Sequence, residues 1–125
     1  MTNRVTVIGS LNVDTILEIP RLPKPGETLA MGDQSFAGGG KGSNQGIAAG
    51  RAGADTYFIG NIGDDANGKF MVKSMTDSGI NVDQITVTDD AKTGQAFILL
   101  DKNGQNSIPS NAHLRQSLVN LNFLQ

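Results

Sequence analysis

Residues 5–14 read VTVIGSLNVD, an apolar β-branched run that stops at Gly9 and is followed by two polar side chains. A short continuous apolar run of this kind is typical of a buried strand in a parallel sheet. Asn12 and Asp14 come just beyond its carboxyl end, which is where open α/β sheets bind their ligands. These residues therefore predict a core strand with a candidate polar site at its end.

Further along the chain, helical and strand patterns alternate. Ser43–Ala52 is alanine-rich and stops at Gly53, Thr56–Ile59 is a second β-run, and Ala66–Ser78 is a second helical segment followed by a strand at Val82–Val87. The order strand, helix, strand, helix, strand predicts an α/β fold with a Rossmann-like parallel core.

Two segments interrupt this core. Residues 14–37 contain an edge-like strand, a proline-rich loop and a predicted pair of strands around Gly32-Asp33, so they predict a small antiparallel sheet. Residues 94–108 contain a strand at Gln95–Asp101 and a hairpin turn centred on Asn103-Gly104. Leucines at helical spacing in residues 111–125 predict a marginal final helix.

Composition limits the classes of function. With 125 residues, one domain is expected. A net charge of −2 at pH 7 offers no general attraction to nucleic acid or anionic lipid. The chain has no cysteine and a single histidine, His113, so a metal site would need oxygen ligands. With neither a signal-peptide pattern nor an apolar stretch long enough to span a bilayer, we expect a cytoplasmic protein.

A glycine run at residues 38–42 precedes the first predicted helix. It is not a Walker phosphate loop, because Gly42 rather than Ser or Thr follows Lys41, and its spacing does not fit a dinucleotide fingerprint. The unpaired N–H groups at a helix N-terminus could bind a sugar or a phosphate. A tight strand-to-helix turn with no ligand explains the glycines equally well.

The polar candidates also have purely structural explanations. Asp14 could accept hydrogen bonds from two adjacent sugar hydroxyls and Asn12 could both donate and accept, yet a lone Asp at this point more often caps a turn. Asn44, on the first helical turn, could simply be a cap. Asp64 and Asp65 could bind a metal, but paired acids before a helix more often stabilise its N-terminus.

Four motifs considered together resemble the PfkB-type (ribokinase) family of carbohydrate kinases. They are GSLNVD at 9–14, PGET at 25–28, GGGKGSNQ at 38–45 and GNIGDDANG at 60–68. The resemblance implies a ribokinase-type core with a β lid formed by residues 14–37 and 94–108. The sugar-binding residues it implies are Asn12, Val13, Asp14, Gly40, Lys41, Gly42, Ser43 and Asn44.

The same resemblance implies ATP-dependent phosphorylation of D-ribose at its primary hydroxyl, with Mg²⁺, often a monovalent cation, and a homodimer formed through the lid. In this family the catalytic Asp, the ATP pocket and the acidic magnesium motif lie in a C-terminal half. We find no match to them in residues 1–125 and expect no catalytic and no metal-binding residue in this chain. As an N-terminal part, it would be inactive alone.

Departures from the family pattern leave alternatives open. Gly46 and Gly50 replace better helix formers, each lowering helix stability by roughly 1 kcal/mol, so a loose helix is expected. Residues 109–113 look like a family junction that has lost several residues, through truncation or a rearranged reading frame. The chain could be a non-catalytic sugar-binding or lid-dimerisation fragment. It could also derive from a related kinase for fructose or a nucleoside, because the glycine motif is shared among these enzymes.

Overall fold

The computed structural model describes residues 3–108 and 110–111 as two β-sheets with two helices. The helices are α1 (Lys41–Arg51) and α2 (Ala66–Asp77). The strands are β1 (Arg4–Ile8), β2 (Asn12–Glu18), β3 (Gln34–Gly39), β4 (Asp55–Gly63), β5 (Ile85–Thr88), β6 (Gly94–Leu100), β7 (Asn106–Ser107) and β8 (Ser110–Asn111). The helix predicted in residues 111–125 lies outside the described residues, apart from Asn111.

The first sheet is parallel and has the strand order β1-β4-β5. Alternate residues are buried in the first part of β4 and all of residues 60–63 are buried, while Phe58, paired with Val7 of β1, is 0% exposed. The core around Phe58 includes Leu11, Ile62 and the two methionines of α2, Met71 and Met75. This arrangement confirms the predicted parallel α/β core.

The second sheet has the order β3-β2-β6-β7, with β8 also paired to β6. Strands β2 and β3 are antiparallel, as predicted, and β6 and β7 form the predicted hairpin. However, β2 and β6 run parallel, so the sheet is mixed rather than purely antiparallel. The first residues of the two strands, Asn12 and Gly94, are register partners.

The loop between β2 and β3 is held by a carboxylate rather than by a further strand pair. Glu27 accepts hydrogen bonds from both terminal nitrogens of Arg21, at 2.6 and 2.7 Å, and from the Lys24 N–H at 3.0 Å. Of the strand pair predicted around Gly32-Asp33, only β3 forms. Backbone bonds between Glu18 and residues 32–33 fasten the end of this loop.

Helix α1 presents a row of glycines, Gly42, Gly46 and Gly50, to the rest of the fold. A Cβ on Gly46 would lie 3.1 Å from the Phe58 ring, and one on Gly50 would lie 3.0 Å from the Ile80 side chain. These glycines lower helix propensity, which is why the sequence predicts a loose helix. In the structure they instead allow α1 to pack closely against Phe58 and Ile80.

Helix α2 begins at the N-cap Asp65, whose side chain accepts a hydrogen bond from the Gly68 N–H at 2.8 Å. The interpretation of the acidic pair as a helix N-terminus is therefore confirmed for Asp65. In the part of the chain that the structure describes, neither helix is long and apolar enough to cross a membrane.

Candidate sugar site

Two glycine-containing connections cross where the sheets meet. A Cβ on Gly42 would lie 2.7 Å from the Gly9 Cα, and one on Gly40 would lie 2.6 Å from the Ser10 carbonyl oxygen. Side chains are sterically excluded from these positions, so the β1–β2 and β3–α1 connections touch through their backbones. This contact brings Asn12 and Asp14 next to the start of α1.

Asn12 and Asp14 lie on one face of β2, because alternate residues of a strand point the same way. The register partners of Asn12 are Gly39 and Gly94, and those of Asp14 are Ala37 and Ala96. Glycine and alanine on both flanking strands leave space beside the two polar side chains. The opposite face is covered at Gly38, the register partner of Val13, where a Cβ would lie 3.3 Å from the Met71 side chain.

The Asp14 carboxylate lies over Gly39. Both of its oxygens fall where a Cβ of residue 39 would be, so the absence of a side chain there makes room for the carboxylate. Asp14 is half-buried, and burial raises the pKa of its carboxyl group. Within the described part of the chain, no side-chain hydrogen bond restrains this carboxylate, so its oxygens can accept ligand hydroxyls.

The N-terminus of α1 faces the same region without a side-chain cap. Its N-cap is Gly40, with φ 99°, a left-handed conformation that favours glycine. Helix α2, by contrast, is capped by Asp65. The first N–H groups of a helix have no partner within the helix, so α1 offers donors and a positive dipole end beside an acceptor carboxylate.

The other predicted residues differ in exposure. Lys41 and Asn44 are exposed at the start of α1, whereas Asn12 is 5% exposed. Val13 and Ser43 are buried at 2% and 0%, and Val13 belongs to the hydrophobic core. Their side chains thus point into the fold.

The sequence analysis did not identify three of the small residues beside Asn12 and Asp14: Ala37, Gly94 and Ala96. Gly39 belongs to the glycine run already noted at residues 38–42. The signal in β6 is the alternation of small residues at Gly94-Gln95-Ala96, which becomes meaningful once β6 is paired with β2.

An open groove of about 560 Å³ lies at the other end of the second sheet. Glu18, Met31 and Lys102 are among the residues that line it. Glu18 is four residues from Asp14 along β2, about 13 Å at 3.3 Å per residue, so this groove is separate from the candidate site.

Metal binding finds no support among the residues described, which contain no group of three or more acidic or histidine side chains able to hold an ion. Asp65 instead bonds to Gly68 and Thr93.

An α/β core with a second sheet beside it has its carboxylate and its glycine-led helix N-terminus at the carboxyl end of a core strand, which is where α/β folds bind their ligands. The sequence model of the pfkB family carbohydrate kinases matches residues 2–121. The chain belongs to this family.

Named relatives agree with the family match. The chain is 50% identical over 106 residues to a bifunctional ribokinase/ribose-5-phosphate isomerase A of Fructilactobacillus sanfranciscensis, covering 84% of this chain and 20% of that protein. It is 47% identical over 109 residues to a ribokinase of Staphylococcus aureus, covering 86% and 36%. The structure of Arabidopsis thaliana ribokinase complexed with ribose and ATP matches with TM-score 0.83 and 37% identity, covering 90% and 36%. The chain thus spans 20–36% of the length of these relatives.

Proposed function

We propose that this chain forms the sugar-binding part of a kinase that transfers the γ-phosphoryl group of ATP to the primary hydroxyl of D-ribose. The observation that carries the proposal is the half-buried Asp14 carboxylate, which lies over Gly39 beside the uncapped N-terminus of α1. A relative of the same fold is complexed with ribose and ATP. Its similarity supports ribose over fructose or a nucleoside.

Each part of the site has a distinct role in this proposal. The two oxygens of Asp14 accept hydrogen bonds from adjacent ribose hydroxyls, and Asn12 fixes the neighbouring end of the sugar. The N–H groups of residues 40–43 and the exposed Asn44 side-chain amide donate to sugar oxygens, with Lys41 at the rim. Val13, Gly42 and Ser43 contribute through the backbone and by packing. Fixing the sugar in this way orients its primary hydroxyl for in-line attack.

ATP and Mg²⁺ are assigned to no residue of this chain. Among the described residues, no cluster of three or more carboxylate or histidine side chains could hold a metal ion, so the roles proposed for this chain involve none. We propose that the catalytic base and the nucleotide pocket belong to the part of the kinase that corresponds to the regions of the relatives not matched by this chain. A cytoplasmic location and a monovalent cation remain part of the proposal at the level of the whole enzyme.

A homodimer through the second sheet completes the proposal. Phe36 and Phe97, on the strands flanking β2, are both register partners of Thr15 and are 58% and 41% exposed. Two large exposed aromatic side chains on one face of a sheet suit a protein interface. Light scattering of the chain and of a Phe36→Ser, Phe97→Ser double variant checks this, with a shift from dimer to monomer expected.

The sugar proposal is tested by isothermal titration of ribose, fructose and adenosine into the folded chain. Saturable ribose binding is expected to fall at least about tenfold in Asp14→Ala, as loss of hydrogen bonds to a charged group implies. Glu18→Ala, on the same face of the same strand, is the matched control and should bind like the unaltered chain. Tighter binding of adenosine or fructose would overturn the choice of ribose.

A further inference from the structure

A hydrogen-bond network joins Asp65 to Thr93, which lies 28 residues further along the chain. The Thr93 N–H donates to Asp65 Oδ2 at 2.9 Å, and the Thr93 hydroxyl donates to Asp65 Oδ1 at 2.6 Å. The same hydroxyl accepts the Gly63 N–H at 2.9 Å. Thr93 is 1% exposed, whereas Asp65 is half-buried, so the bonds are shielded from water on the Thr93 side.

The network exceeds what a helix cap requires. Capping α2 uses only the bond from the Gly68 N–H to Asp65 Oδ1. The two bonds from Thr93 instead tie the start of α2 to the residue directly before β6. Glycine is required around them, because a Cβ on Gly68 would lie 3.0 Å from the Thr93 hydroxyl and one on Gly63 would lie 2.7 Å from the Thr93 nitrogen.

The tie acts at the edge of the candidate sugar site. Thr93 directly precedes Gly94, the register partner of Asn12. Ala96, two residues after Gly94, is the register partner of Asp14. Gly63 is the last residue of β4, Asp65 is the N-cap of α2, and Thr93 directly precedes β6. The network therefore links the first sheet, a helix and the second sheet at one point. A shift of Thr93 would move the strand that flanks both polar side chains.

We propose that Asp65 and Thr93 are positioning residues for the sugar site, which hold the start of β6 against β2 and thereby fix Asn12 and Asp14 relative to the N-terminus of α1. The proposal rests on the proposed function for its sugar, but the tie itself can be tested without any ligand.

The variants are chosen to cut the tie with little other change. Thr93→Val keeps the shape of the side chain and removes the hydroxyl, whereas Thr93→Ser keeps the hydroxyl. Asp65→Asn preserves a good N-cap but presents an amide that cannot accept both bonds from Thr93. Asp77→Asn is the matched control, since Asp77 lies on the same helix in an exposed ion pair with Lys73.

Amide hydrogen exchange of the chain without ligand is the first readout. In Thr93→Val and Asp65→Asn, exchange in β2 and β6 should accelerate about tenfold relative to β1 and to residues 55–59 of β4, which lie outside the network, as expected for losing hydrogen bonds. Thr93→Ser and Asp77→Asn should stay within about threefold of the unaltered chain. Unchanged exchange in β6, or equal acceleration in every strand, would overturn the proposal.

Ribose affinity is the second readout, measured at a temperature where all variants are folded. Thr93→Val should bind about tenfold more weakly and Thr93→Ser nearly normally, a rescue that a purely structural defect would not give. Full affinity in Thr93→Val would contradict positioning. If the unaltered chain bound no ribose, the proposed function would fail, and the exchange comparison would still decide whether the tie holds β6.

Discussion

The carboxylate of Asp14 occupies the space that a side chain on Gly39 would need, although the two residues are 25 positions apart in the sequence. Gly39 is opposite Asn12 in the β2–β3 ladder, so the carboxylate leans along β2 toward Asn12. This contact makes Gly39 a part of the candidate site even though it has no functional group.

Gly39→Ala is expected to weaken ribose binding by about tenfold or more, because the methyl group displaces a carboxylate that accepts ligand hydroxyls. Gly38→Ala is the matched control. Its methyl group would lie 3.3 Å from the Met71 side chain and 4.0 Å from Ser74 Oγ on the opposite face, away from Asp14, so affinity should change little. Equal losses in both variants, measured by titration calorimetry, would argue against the Asp14 site.

Asp14→Asn should make the chain more stable at neutral pH while weakening ribose binding. Burial raises the pKa of Asp14, so folding favours its protonated form. The stability associated with this group is present below the unfolded pKa of about 3.9 and is lost as pH rises through the folded value. Urea unfolding across pH should therefore show the advantage of the variant disappearing toward acid. Asp33→Asn, at an exposed position, is the control. A difference in unfolding free energy between Asp14→Asn and the unaltered chain that stays constant at all pH values would refute the prediction.

Asp65 should show the opposite pH dependence. Burial raises the pKa of its carboxyl group, but the hydrogen bonds from Thr93 and Gly68, together with the charge of Lys92, outweigh it, so the net pKa lies below the usual range. This stability is present above about pH 3.9 and is lost as pH falls through the lower folded pKa. In Asp65→Asn, the acid-side decline in unfolding free energy should be shallower. An identical decline in both proteins would rule out this contribution.

Gly42→Ala should destabilise the chain by about 1–3 kcal/mol, because its methyl group would collide with the Gly9 backbone and overpack the crossing. Helix propensity alone predicts a gain of about 1 kcal/mol, so the two explanations differ in sign. Ala48→Gly, at an exposed position of the same helix, calibrates propensity and should lose about 1 kcal/mol. If urea unfolding shows Gly42→Ala to be more stable than the unaltered chain, the contact between Gly42 and Gly9 has room for a methyl group.

The sequence by itself determined the parallel core, both helices and the polar positions at the end of the first strand. These features depend on local patterns: β-branched runs, helical spacing, and caps or turns formed by nearby residues. The motif resemblance also identified the family, which the family match confirms.

Only the tertiary structure decided the parallel pairing of β2 with β6, the contact between Asp14 and Gly39, the tie from Thr93 to Asp65, and the packing use of Gly46 and Gly50. Each depends on residues far apart in the chain and is stabilised by close backbone approach or by a buried hydrogen bond. Such contacts leave no periodicity in the sequence. A glycine that looks like a weak helix former can thus be the residue that a tightly packed helix requires.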